Sequence, residues 1–122
     1  MQTVDFTKYL KTQLNITDLY PNLLLDEKDN TGVFIYSSEQ DTYNKLQGTI
    51  KYQFLTAAVN KEEAERISYN ILQKVKTLKN GFVLSDSYIQ GIVVQNMMPI
   101  YIGRDETKRY LFSFNIEVFI QQ

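Results

Sequence analysis

A chain of 122 residues with 43% hydrophobic and 22% charged residues suits one ordered domain around a single core, and excludes a disordered or fibrous chain. Thirteen basic against 14 acidic residues leave a formal net charge of -1, so no excess positive field gathers the phosphates of duplex nucleic acid. Cysteine and histidine are both absent, which removes disulfides, thiolate nucleophiles, thiolate metal sites and histidine general bases.

The N-terminal stretch MQTVDFTKYLKTQL has neither the basic start nor the apolar run of a secretory signal. No segment reaches the ~18 apolar residues of a membrane span, so a soluble protein assembled in the cytoplasm, with no membrane partner, is expected. Phe6, Tyr9, Leu10 and Leu14 recur at helical spacing, which predicts a helix over 4–14 with Thr3 or Asp5 as cap and Asn15 as its end. After Pro21, Leu23-Leu24-Leu25 reads as a strand. The polar turn from Asp26 to Gly32 and the apolar run Val33-Phe34-Ile35-Tyr36 then complete a hairpin. Ser37 to Lys45 follows neither period and reads as a surface loop or arm.

From Gly48 to Ala58 the pattern alternates, with Ile50, Tyr52, Phe54, Thr56 and Ala58 on one face, which predicts a third strand. Asn60 with Glu63 resembles a capping box. It opens the principal helix, whose stripe is Ala64, Ile67, Ile71, Leu72, Val75 and Leu78, with Gly81 as its stop and Phe82 folding back on the last turn. Residues 88–98 and 110–120 are the two longest strands, and the second places Tyr110, Phe112, Phe114, Ile116, Val118 and Ile120 on one face. Pro99 and the segment Gly103 to Arg109 reverse the chain between them. With no repeat and no linker, residues 1–122 form one α+β domain. It has a largely antiparallel sheet with two helices in the order α-β-β-β-α-β-β, the second helix packed on the aromatic face.

Nothing in this chain assembles standard catalytic chemistry. The acidic sets Asp26/Glu27/Asp29, Glu62/Glu63/Glu65 and Asp105/Glu106 fall in turns or at a helix start, where solvated carboxylates are ordinary. A calcium loop begun at Asp26 fails, because its third position is Lys28 and its sixth is Thr31. Neither phosphate-cradling glycine motif occurs. A nucleic-acid module stacking bases on the aromatics after Lys108-Arg109 is one alternative. However, RYLFSFNIEV lacks the glycines of the ribonucleoprotein signature, and its aromatics alternate with polar residues as core residues do. The knot GRDETKR is then either a charged hairpin turn, with Gly103 at positive φ, or a grip between subunits. Arg104 and Arg109 would bond a neighbour's carboxylates, and Asp105 and Glu106 would answer its basic groups. Mixed charge suits a head-to-tail interface, since every copy carries both halves of the pair.

The stretch IGRDETKRYLFSFNIEVFI, preceded by LSDSYIQGIVVQNMMPIY and by the helix AERISYNILQKV, resembles the minor capsid or tail-terminator proteins of long-tailed bacteriophages. The resemblance covers roughly residues 45 to 120 and is carried best by the Gly-Arg-Asp-Glu turn leading into the aromatic strand. It implies a virion structural protein, without catalysis or cofactor, whose copies close a ring, a homohexamer in the family. The ring caps the tail tube and joins it to the head. The implied partners are self, the tail tube protein and a head-tail connector protein, with DNA at most passing through the lumen; a connector or stopper of the neck is the alternative role. Candidate contacts with neighbours are Glu39 and Asp41 in the Ser37–Lys45 arm and Arg104, Asp105, Glu106 and Arg109 in the turn.

Overall fold

Helix α1 (Thr3–Leu14) forms where the apolar spacing predicts it, and buries Phe6 and Leu10. Its cap position is Gln2 rather than Thr3 or Asp5, and Asp5 contributes from inside the first turn by accepting the Gln2 N–H at 3.4 Å. Asn15 ends it at φ 53, the left-handed geometry that Asn tolerates better than most residues. The computed structural model describes residues 1–122.

The next segment departs from expectation. Strand β1 is Leu19–Pro21, not Leu23–Leu25, and it lies parallel to β2 (Asn30–Gln40), with Leu19 opposite Thr31 and Pro21 opposite Val33. A local hairpin is therefore absent. Asn22, at φ 60, turns the chain away after Pro21, so Leu23–Leu25 run on without a ladder. The side chain of Asn30 holds that detour, accepting the Leu25 N–H at 2.8 Å and donating to the Leu25 carbonyl at 3.0 Å. Leucines in a partly exposed loop carry the same hydrophobic signal as leucines in a strand, which is why composition alone misplaces the element.

Strand β2 also runs further than predicted, continuing through Ser37–Gln40 beside β3 (Gln47–Ala58) after a bulge at Tyr36. Only residues 41–46 form the loop at the tip of this arm. Cross-strand pairing overrides the weak strand propensity of Ser, Glu and Gln there.

Helix α2 (Lys61–Val75) starts at Asn60, whose side chain accepts the Glu63 N–H at 2.9 Å. The reciprocal half of the box does not form, because the Glu63 carboxylate turns to Arg66 instead. The helix closes at Lys76 in right-handed geometry, ahead of Gly81. Gly81 does take φ +79, but it serves the entry to β4 (Phe82–Leu84), where Phe82 stacks on Tyr9 of α1 at 4.6 Å. Strands β5 (Ser87–Val94), β6 (Ile100–Arg104) and β7 (Tyr110–Gln121) follow. The predicted order thus holds, with β4 and β6 as added short strands.

One seven-stranded sheet runs β1-β2-β3-β7-β5-β4, antiparallel except for β1 against β2. Along one flank of β7, β5 pairs with the C-terminal half and β6 with the N-terminal half. Both helices cover one face. The principal core lies between them and the sheet: Phe6 and Leu10 of α1, Ile71, Leu72 and Val75 of α2, Tyr52 and Phe54 of β3, and Phe114, Ile116, Val118 and Ile120 of β7. Phe6 stacks on Tyr52 and Phe54 on Phe114, each at 4.7 Å between ring centroids. Burial pushes the Tyr52 hydroxyl up to about 12. Ala58, Ala64 and Phe112 form a smaller cluster where α2 begins. No helix is long and apolar enough to cross a membrane.

Candidate interaction surface

The turn that the sequence singles out is built around a buried arginine. Asp105 to Arg109 closes as a tight reversal, with the Asp105 N–H on the Arg109 carbonyl at 3.0 Å and the Lys108 N–H on the Asp105 carbonyl at 2.9 Å. Gly103 sits at φ +117, within the bulge of β6, and Lys108 takes φ 64. The Asp105 carboxylate caps the turn, accepting the backbone N–H groups of Thr107 at 3.0 Å and Arg109 at 2.8 Å.

Arg109 is only 3% exposed, and its whole fork is committed to its own chain. Its guanidinium donates to Asp105 at 3.0 Å, to Thr107 Oγ1 at 3.1 Å, to the Lys28 carbonyl at 2.8 Å and to the Leu25 carbonyl. Asp26 stands 3.8 Å away. The side chain therefore clamps the 22–29 detour to the start of β7. The expectation that Arg109 reaches a neighbouring subunit does not fit this placement, because the guanidinium is buried, with its Nε and Nη1 hydrogens bonded within the chain and its Nη2 facing Asp105 and Asp26. Asp105 is likewise spent in the turn. Burial pushes its carboxyl up, but the hydrogen bonds from the Arg109 backbone, Thr107 and the Arg109 guanidinium outweigh that and hold it below the usual carboxylate range.

Arg104 is exposed and lies over the Tyr110 ring at 4.7 Å while donating to the Lys108 carbonyl at 2.8 Å. Glu106 is exposed at the apex of the turn. Glu39 and Asp41 lie toward the opposite end of β3 and β7 from the turn, on the β2–β3 arm. Asp41 accepts the N–H groups of Tyr43 at 2.8 Å and Asn44 at 3.1 Å, which lowers its pKa and fixes the tip with Tyr43 fully in solvent. The six residues thus divide between two ends of the molecule instead of forming one patch.

Other acidic residues also have partners: Asp29 accepts the Val59 N–H at 3.2 Å, and Glu63 pairs with Arg66. The base-stacking alternative is overturned: Phe112 is 3% and Phe114 0% exposed, and the aromatic face is sealed beneath the helices.

The sheet's second face carries no helix, and sequence reading passed over it. Lys51 and Glu117 pair across β3 and β7 at 3.4 Å, and Gln53 donates to Ser113 at 3.2 Å. Gln95, just after β5, donates to Glu117 at 2.6 Å and accepts from the Tyr36 hydroxyl at 3.0 Å, so a polar chain spans the width of the sheet above β3 and β7. The alternation of β7 placed Ser113, Asn115 and Glu117 on this side; the bonds of Ser113 and Glu117 were legible only once β2 and β5 had been brought to either flank, while Asn115 Oδ1 stays buried without a partner.

A row of apolar side chains is also exposed along β6 and the loop before it: Ile100 at 54%, Tyr101 at 41% and Ile102 at 48%, after Met97 at 83%. No protein-family model matches this sequence, and no curated protein matches it. Among solved structures, the chain is similar to one from the virion of a native gene transfer agent particle, with a TM-score of 0.58 at 12% identity, over 93% of this chain and 84% of that one. At that identity the likeness establishes a shared fold.

Proposed function

We propose that this chain is a structural subunit of a phage-like particle, a tail terminator whose copies form a ring that caps the tail tube and joins it to the head. The observation that carries the reading is the likeness to a virion chain over 93% of this chain and 84% of that one. The distribution of chemistry supports it. Of the charged groups, Arg109–Asp105 hold the fold and Arg66–Glu63 pair on the surface of α2, and the surfaces left over are edges, tips and a polar sheet face suited to contact with other proteins. If the open face lines a lumen, the Lys51–Glu117 pair keeps it locally neutral, so DNA passing through meets no fixed basic field.

The test is mass measurement of the full chain from micromolar concentration upward, with electron microscopy in the presence and absence of its cognate tail tubes. Rings, free or seated on tube ends, are the expected result. A strict monomer that also ignores the tubes overturns the reading. Capture by the connector protein but not by the tube would reassign the chain to a stopper of the neck.

A further inference from the structure

We propose that subunits join through a strand-to-strand seam, in which the free edge of β6 pairs antiparallel with the outer half of β2 on the next copy; the proposal rests on the ring reading above. β6 has β7 as its only strand partner, and β2 has β1 only along Thr31–Val33, so Phe34–Gln40 offer a second open edge. An open edge presents unpaired N–H and C=O groups, and soluble proteins guard such edges with charge or proline. β6 is flanked by Pro99 and ends in the charged Arg104, but between them it exposes Ile100, Tyr101 and Ile102 in succession, interrupted only by a bulge at Ile102. The facing edge offers Ile35 at 44% and Tyr36 at 48% exposure beside small polar Ser37 and Ser38. The remaining edge strands, β1 and β4, are three residues each and lie against α1.

Strand directions make the seam repeatable. β2, β3, β7 and β6 alternate up and down, so β6 runs antiparallel to β2, and a copy placed head to tail continues the alternation without a break. Pairing Tyr101 with Ser37, inside the open stretch of β2, sets the offset between the edges. Tyr101 stands opposite Phe112 on β7, whereas Ser37 stands opposite Lys51 and through it Glu117, an offset of five residues along the strands. That is ~17 Å at ~3.3 Å per residue, accumulated over four strands ~4.8 Å apart, or ~19 Å. Such a stagger tilts the strands by about 40°, inside the ~35–45° that a sheet needs to close on itself, whatever the number of copies. β1 covers Thr31–Val33 and so requires an offset of at least two residues, from Ser113 opposite Ile100 to Asn115 in line with Phe34; the Tyr101–Ser37 pairing lies within what it allows.

The absence of cysteine makes the test clean. Ile102→Cys combined with Ser37→Cys or Ser38→Cys in one full-length chain is expected to give, on mild oxidation, a ladder of covalent oligomers ending at the ring. A mixture of the single variants is expected to stop at dimers. Ile102→Lys, at an exposed position, is expected to lower the assembled fraction at least about ten-fold while moving the melting temperature by no more than a few degrees. Rings that form normally in Ile102→Lys and cross-link through neither pair overturn the seam and leave the ring reading intact. Rapid disulfide formation between two copies of Ile102→Cys alone also overturns it, since that geometry is two-fold and not head to tail. A chain that forms no oligomer and ignores tail tubes removes both proposals together.

Discussion

Arg109 is the residue at which position along the chain and position in space differ most in meaning. In sequence it belongs to a charged knot, and in the fold it joins the β6–β7 turn to carbonyls more than 80 residues earlier in the chain. Its replacement by Ala removes the ion pair to Asp105 and the hydrogen bonds to the Leu25 and Lys28 carbonyls, which keep only their bonds from Asn30, and leaves a buried hole, so a loss of about 3 kcal/mol of stability is expected in urea denaturation of the monomer. Arg109→Lys is expected to recover little of this, because one ammonium cannot reproduce the planar fork. Asp105 gives the same site a pH signature. Its folded pKa lies below the unfolded value of ~3.9, so its stabilisation is complete above that value and is lost as pH falls through the folded one. The stability gap between wild type and Asp105→Asn is therefore expected to be widest above about pH 5 and to shrink in stronger acid, as acid-dependent urea melts would show. Arg104 differs from Arg109 in being exposed, and Arg104→Ala is expected to leave the monomer's melting temperature nearly unchanged.

Among the elements, β7 carries the most. It pairs along its full length with β3 and along its other flank with β6 and β5, and its alternate residues supply much of the core. Phe114, fully buried and stacked on Phe54, is expected to cost about 3–5 kcal/mol on replacement by Ala. Phe112 lies in the smaller cluster beside Ala58 and Ala64, where Tyr101 approaches its ring to 5.4 Å, and the same change is expected to cost less. Calorimetry or denaturant melts of the two variants check the ranking, which reverses if the small cluster is the true anchor. β7 and β3 were legible because a strand buried on one face writes its burial into the sequence with a period of two. β1 and β6 were not, since three to five residues hold too few alternations to distinguish a strand from a loop.

At the scale of the whole molecule, the domain is a sheet covered on one side and left bare on the other, with its exposed tips at opposite ends. In the proposed ring, such a subunit would act as a tile: helices to one side, a polar face to the other and edges for the seams. The expectation that all six charged candidates act at interfaces narrows accordingly. Arg109 and Asp105 hold the domain together, while Arg104, Glu106, Glu39 and the Asp41 tip stay exposed and, in the proposed ring, are the candidates for contact with neighbours. Combined Arg104→Ala and Glu106→Ala is expected to weaken ring formation or tube capping, read by sedimentation and microscopy, with folding preserved. A parallel loss of both would place these residues in the fold instead.

The sequence alone determined the long elements, the buried aromatic stripe and the class of the fold, because each depends on repeated burial along a continuous segment. Only the tertiary structure decided the parallel seating of β1, the fate of Arg109, the polar bridge from Tyr36 through Gln95 to Glu117 and the two unfilled edges. Each of these is a relation between segments tens of residues apart, and hydrogen bonds made across such distances leave no period in the chain that makes them.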